Sequence, residues 1–245
     1  MFLSRQQKFI IITLIIYWPA LFIFAHIPIP ELVRQADVSD KYVHFLAYLI
    51  LTFLLWVAAF PDKKVNWRKP AAWWIILVVV LYGVFDEVLQ SFVAGRSCDI
   101  RDFIVDLAGT LTGLILLSFF SFQPALVIIT GITIFGLTNV TRANIADLLP
   151  LTNTAFNLCA YAIFTLGWIH YLYSCLKLMA PTPGWLIKAL TLPAGFLLSV
   201  KLVSLFLGRS VTVTDVIVSA VGIAAAVGTT IVIALFRRLS RQKLA

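Results

Sequence analysis

Eight apolar runs, each long enough for a helix of roughly 20 residues, divide this chain, and such a succession folds only with a bilayer as its solvent. They fall near residues 9–26, 42–60, 71–92, 102–121, 124–140, 153–177, 184–206 and 213–236. With 61% hydrophobic and 12% charged residues and a mean hydropathy of +0.99, a soluble domain is excluded. The expected fold is all-α, a polytopic membrane helical bundle of about eight spans. The first run carries Trp18 and Pro19 and leads into HIPIPE without a small-residue cleavage site, so it reads as a retained span rather than a signal peptide.

The net charge of +8 does not point to nucleic acid. The basic residues form short clusters between apolar runs, with no basic amphipathic or zinc pattern beside them. They report orientation. Arg5 and Lys8 precede the first span, Lys63, Lys64, Arg68 and Lys69 join the second to the third, and Arg237, Arg238, Arg241 and Lys243 follow the last. Eight spans place all three clusters on one side, which predicts cytoplasmic termini. Trp67, Trp73 and Trp74 gather at the same side, as interfacial aromatics do. Cys98, Cys159 and Cys175 have no metal-ligand spacing and imply no disulfide framework.

An offset of 113 residues superposes Gly95-Arg96-Ser97 on Gly208-Arg209-Ser210, and also Asp102 on Asp215, Gly109 on Gly222 and Ala47-Tyr48 on Ala160-Tyr161. An offset spanning four helices predicts two parallel four-helix pseudo-repeats, 1–122 and 123–245. At that offset Lys41 meets Thr154, His44 meets Asn157, Glu87 meets Val200, Gln90 meets Val203, Asp99 meets Thr212 and Asp106 meets Ser219. Residues shared by both halves are therefore candidates for architecture, and those confined to the first half are candidates for a site.

Ionisable groups at membrane depth cost several kcal/mol, about 2.5–3.5 for a central Asp, so they are functional candidates by default. Ser97, Asp99 and Asp102 stand where side chains cap a helix start, and the retained Asp215 favours that role for Asp102. Asp106 lies a turn deeper, beyond capping reach, and needs a partner such as Arg96, Arg101 or Lys41, or a role in a site. Glu87 and Gln90 share one face of the third span while Asp86 points about 100° away; they either tie helices together or line a site. Lys41, His44 and Tyr48 form one stripe on the second span. Arg96 either staples the loop or forks onto a phosphate. Gly109 and Gly113 make a GxxxG step for close helix approach. His26 and His170 have no polar company in sequence and read as interfacial, and Lys201 reads as snorkelling or pairing with Asp215.

Asp40-Lys41-x-x-His44, Tyr82-Gly83 with Glu87-x-x-Gln90, and Gly95-Arg96-Ser97 with Asp99, Asp102 and Asp106 together resemble the VanZ-like family over roughly residues 10–120. The resemblance implies a multi-pass protein of the bacterial cytoplasmic membrane connected with the cell envelope, and a family link to resistance against the glycopeptide teicoplanin. It brings no settled reaction. The second half departs from the motif, which predicts a degenerate, scaffold-like copy.

The residues themselves suggest an enzyme working on a lipid-linked or phosphorylated head group at the exoplasmic leaflet. His44 would be base or nucleophile, with Glu87 and Asp106 orienting or protonating it, and Lys41, Gln90, Arg96, Asp99 and Asp102 would bind substrate. Its partners would be membrane lipids, lipid-linked envelope precursors among them, and not nucleic acid. The alternatives are a non-catalytic binder of envelope lipids or antibiotic, and, ranked last, a transporter, because the polar groups gather at one face rather than at mid-membrane. No cofactor is assigned. His44, Glu87 and an Asp have the ligand chemistry for zinc, manganese or magnesium, but no spacing in the sequence demands a metal.

Overall fold

A computed structural model describes residues 4–27, 40–61, 63–93, 98–140 and 150–242. Among these are eight helices: α1 (Arg5–His26), α2 (Asp40–Ala59), α3 (Pro70–Gln90), α4 (Ile100–Phe119), α5 (Phe122–Asn139), α6 (Pro150–Ser174), α7 (Pro183–Phe206) and α8 (Val213–Gln242). All eight are long and apolar enough to cross a membrane, and no strand occurs among the described residues. The protein is a multi-pass, all-helical membrane protein, as the apolar runs predict.

The helix starts follow from local chemistry. Ser4 Oγ accepts the Gln7 N–H ahead of α1, Asp99 caps α4 through the Arg101 N–H, and Thr182 accepts the Trp185 N–H ahead of α7. Each satisfies a backbone donor that the helix leaves unpaired. Pro70 and Pro183 occupy the first turns of α3 and α7, where a missing N–H costs nothing. Thr212 Oγ1 accepts the Asp215 N–H at 3.1 Å at the start of α8.

The chain divides into two compact units, Met1–Ala125 and Leu126–Ala245. In the first, the most extensive packing is α2 against α4, with α1 laid on α2 and α3 on α4. Glycine sets the α2–α4 approach. A Cβ at Gly109 would collide with the Phe45 carbonyl oxygen, and one at Gly113 would press on Leu49 O and Thr52 at 3.3 Å. Only hydrogen at these positions lets the backbones come so close. Tyr17 Oη donates to Ala47 O at 3.0 Å and Gln7 Nε2 to Ala58 O at 3.1 Å, which fastens α1 antiparallel to α2.

The α2–α3 loop is tied to the far end of α4. Val65 N–H donates to Leu117 O, Lys64 Nζ to Phe119 O, and Trp67 Nε1 to Ser118 Oγ, at 3.0, 2.7 and 2.9 Å. A lysine on the last carbonyls of a helix also answers its dipole. This end of the unit is thereby pinned, and the opposite end carries Lys41, His44, Glu87, Asp102 and Asp106.

In the second unit the most extensive packing is α6 against α8, with α7 on both. Tyr161, Phe164, Leu197 and Ile223 make one apolar core, and Leu172, Trp185, Ala189 and Val227 belong to another. Gly222 of α8 sits against Leu158 O and Ala162 N of α6.

Candidate functional site

The close approach of α2 and α4 places two rungs of polar contact at one end of the first unit. On the outer, partly exposed rung, Lys41 Nζ donates to Asp102 Oδ1 at 2.7 Å and to Asp99 Oδ2 at 3.2 Å. Asp99 lies outside the span, and the Arg101 N–H, followed by Lys41, holds its carboxyl below the usual carboxylate range. One turn deeper, His44 Nδ1 and Asp106 Oδ1 are 3.0 Å apart, both side chains buried. An ionised Asp106 would accept from Nδ1–H, the tautomer that makes Nε2 the basic nitrogen of the neutral ring. Thr110 Oγ1 donates to Asp106 O at 2.9 Å, which leaves the Asp106 side chain to the interior.

α3 brings the third component. Glu87 Oε2 accepts the Asp99 backbone N–H at 3.0 Å, so the residue that caps α4 with its side chain also holds Glu87 with its main chain. Glu87 is buried at 3% exposure and Asp106 at 2%. One ligand-capable atom from each of His44, Glu87 and Asp106 lies within 4.8 Å of the other two. Three helices thus converge on one point.

Of the residues that sequence singles out, Lys41, His44, Glu87, Asp99, Asp102 and Asp106 are joined by these contacts. Arg96, with Gly95 and Ser97, lies outside the described residues. Asp106 bonds to the imidazole of His44 rather than to Lys41 or Arg101, the expected cations among the described residues. Gln90 donates to Asp86 Oδ2 at 2.7 Å instead of joining Glu87.

Asp86 and His26 are additions that sequence reasoning did not reach. Asp86 is buried at 2% exposure, and its Oδ1 lies 3.8 Å from His26 Nδ1 at the end of α1. His26 donates from Nδ1 to Phe22 O at 2.8 Å and stacks on the Phe22 ring. The expectation of an interfacial His26 without company therefore gives way to a histidine beside a buried carboxylate. The i, i+4 spacing of Asp86 and Gln90 was a usable signal for their bond. Nothing in sequence says that α1 delivers His26 to the same helix. Tyr82 and Tyr48 stand between these groups, their rings 6.0 Å apart, and the Trp18 ring meets Tyr82 edge-on at 5.4 Å.

The second unit holds milder chemistry. Asn153 Nδ2 donates to Asp215 Oδ1 at 2.7 Å, and Ser219 Oγ donates to Asn157 Oδ1 at 3.3 Å. Lys201 is buried on α7, where the charge of Asp215 reaches it.

Residues 6–122 match a protein-family model described as VanZ/LLP1, a stretch that holds α1 to α4 and every contact of the site described above. No curated protein and no solved structure matches the chain. The polar rungs on α2, α3 and α4 are therefore features of the matched segment, and it is the first four spans of this multi-pass membrane protein that are similar to the VanZ/LLP1 family.

Proposed function

We propose that the first unit is an enzyme of the bacterial cytoplasmic membrane acting on a lipid-linked or phosphorylated head group at the exoplasmic leaflet, with both chain termini cytoplasmic. The observation that carries this reading is the buried His44–Asp106 pair at 3.0 Å, one helical turn beneath the partly exposed Lys41. A histidine held through Nδ1 by a carboxylate presents Nε2 as a proton acceptor of fixed direction, the arrangement general-base catalysis needs. The bacterial envelope setting rests on the family, and the sidedness rests on the Lys and Arg clusters.

In a hydrolytic step, water oxygen forms the new bond to phosphorus as its proton passes to His44 Nε2. The bond from phosphorus to the leaving oxygen breaks, and the imidazolium returns the proton to that oxygen. Lys41 and Arg96 attract the anion, Asp106 keeps the ring oriented, and Glu87 faces the reacting centre from α3. Apolar surfaces of α3 and α4, with Phe85, Val88 and Ile104 exposed, suit the lipid tail.

The test is turnover by the full chain in vesicles carrying phospholipid and polyprenyl-phosphate substrates, read by mass spectrometry of lipid extracts. Wild type yields a dephosphorylated or head-group-transferred product and His44→Ala does not. Head-group affinity that survives His44→Ala, with no product from wild type, overturns catalysis in favour of binding without turnover.

A further inference from the structure

A phosphorylated substrate and this site carry the same sign of charge. Glu87, Asp99, Asp102 and Asp106 gather where Lys41 is the only Lys or Arg side chain bonded to a carboxylate among the described residues. Close like charges cost several kcal/mol when poorly hydrated, so an anionic head group needs a further positive charge to enter.

The geometry supplies a place for it. Three atoms that all lie within 4.8 Å of one another are at most roughly 2.8 Å from a shared centre, against about 2.0–2.2 Å for metal–nitrogen and metal–oxygen bonds. A shift of about 0.6–0.8 Å closes that gap. The 3.0 Å between His44 Nδ1 and Asp106 Oδ1 fits two ligands of one ion in the other tautomer, with the ring hydrogen on Nε2. Two atoms each about 2.1 Å from one ion, at about 90–110° to each other, stand about 3.0–3.4 Å apart.

The Glu87 carboxylate itself points the same way. Glu87 Oε1 is buried and has no hydrogen-bond partner among the described residues, although its sister oxygen does. Buried carboxylate oxygens are ordinarily paired or coordinate a cation. One imidazole and two carboxylates form a donor set suited to zinc or manganese rather than to a soft ion such as copper(I).

We propose that His44, Glu87 and Asp106 bind one divalent cation of the zinc or manganese kind, which gives the phosphate oxygens of a head group a positive partner at the floor of the site. This deepens the enzymatic reading and rests on it only for the substrate. With the ion bound, His44 would be a ligand in place of the general base described above, and the chemistry the ion would supply is polarisation of the phosphate oxygens and of a bound water. The outer contacts then have a defined task. The Asp99 N–H orients Glu87, as partners of metal ligands generally do.

The experiment uses the full chain purified in detergent, stripped with chelator and titrated with zinc chloride or manganese chloride. Metal content is measured after dialysis, and manganese binding by electron paramagnetic resonance. Wild type retains about one ion per chain. His44→Ala, Glu87→Gln and Asp106→Asn each lose affinity by more than the about 10–100-fold typical of outer-shell changes. A fourth variant, His44→Asn with Asp106→Ser, recreates the Asn157–Ser219 pair of the second unit. It guards against simple misfolding: it keeps a wild-type elution profile and melting behaviour while losing the ion.

Wild type that holds no ion after dialysis, or folded variants that hold as much as wild type, overturns the proposal. The latter result means an adventitious ion only. Turnover by chelator-stripped protein also sinks the metal while leaving the enzymatic reading in place. A bound ion with no head-group product does the reverse.

Discussion

Gly109 and Gly222 hold corresponding places in the two units, each against a backbone carbonyl of a neighbouring helix, Phe45 O in one and Leu158 O in the other. Both glycine and carbonyl are displaced by 113 residues from one unit to the next, as are Leu49 N and Ala162 N. Pro70 and Pro183 begin α3 and α7 at the same separation. What stands one turn from the glycine differs. The first unit has His44 against Asp106, and the second has Asn157 against Ser219. A hydroxyl and an amide satisfy each other inside a membrane without an ionisable group, so holding two helices together does not require the histidine and carboxylate. We propose that the second unit is a degenerate copy of the first, and that the difference between them marks the chemistry.

The comparison breaks most visibly in turnover. His44→Ala or Glu87→Ala reduces head-group conversion at least about 100-fold, the range expected for loss of a general base or its equivalent, whereas Asn157→Ala leaves it within about two-fold. Product formation in vesicles measures both, and equal losses in the two units would abolish the distinction. Next in size are the seams. Gly109→Ala and Gly222→Ala each cost about 1–3 kcal/mol, because a methyl group must push a backbone carbonyl aside. Denaturation in detergent should show both losses, and only Gly109→Ala should also lower turnover, by moving His44 away from Asp106.

Asp86→Asn tests the pairing that sequence did not foresee. It weakens a charged, buried bond to Gln90 and removes the carboxylate beside His26, with an expected cost of about 1.5–3 kcal/mol in the same denaturation assay. Unchanged turnover in that variant would confine the site to His44, Glu87 and Asp106. The smallest effect belongs to Lys41→Gln. Its partly exposed ion pairs are worth under about 1 kcal/mol to folding. A several-fold rise in the KM for an anionic head group with kcat held would identify an anion-attracting role. Thr154→Ala at the matching position of the second unit should change neither quantity.

The spans were plain in the sequence because each is an unbroken apolar stretch, and a bilayer leaves helices no competing partner for their backbone. The Asp99 cap was legible for the same local reason: a short acceptor precedes three free N–H groups. The partner of Asp106 was not. Three basic residues were candidates on charge alone, and the choice of His44 was made by the α2–α4 seam, which depends on which helix the glycines of α4 meet. Gly109 and Gly113 announced a close approach without naming the helix. His26 and Asp86 escaped because 60 residues separate them and each lies on a face that sequence cannot assign to a neighbour.

The α2–α4 clasp also has a consequence for how the protein is made. The two helices that fit most closely in the first unit are not consecutive, since α3 is synthesised between them. Asp86 and Glu87 therefore arrive in the membrane on α3 before the ribosome has produced the Asp99 N–H that Glu87 accepts or the glycines that seat α4. Until then Lys41 and His44 on α2 and His26 on α1 are the ionisable groups among the described residues already waiting there. The polar interior formed by α1, α2 and α3 is therefore incomplete until α4 enters and closes it.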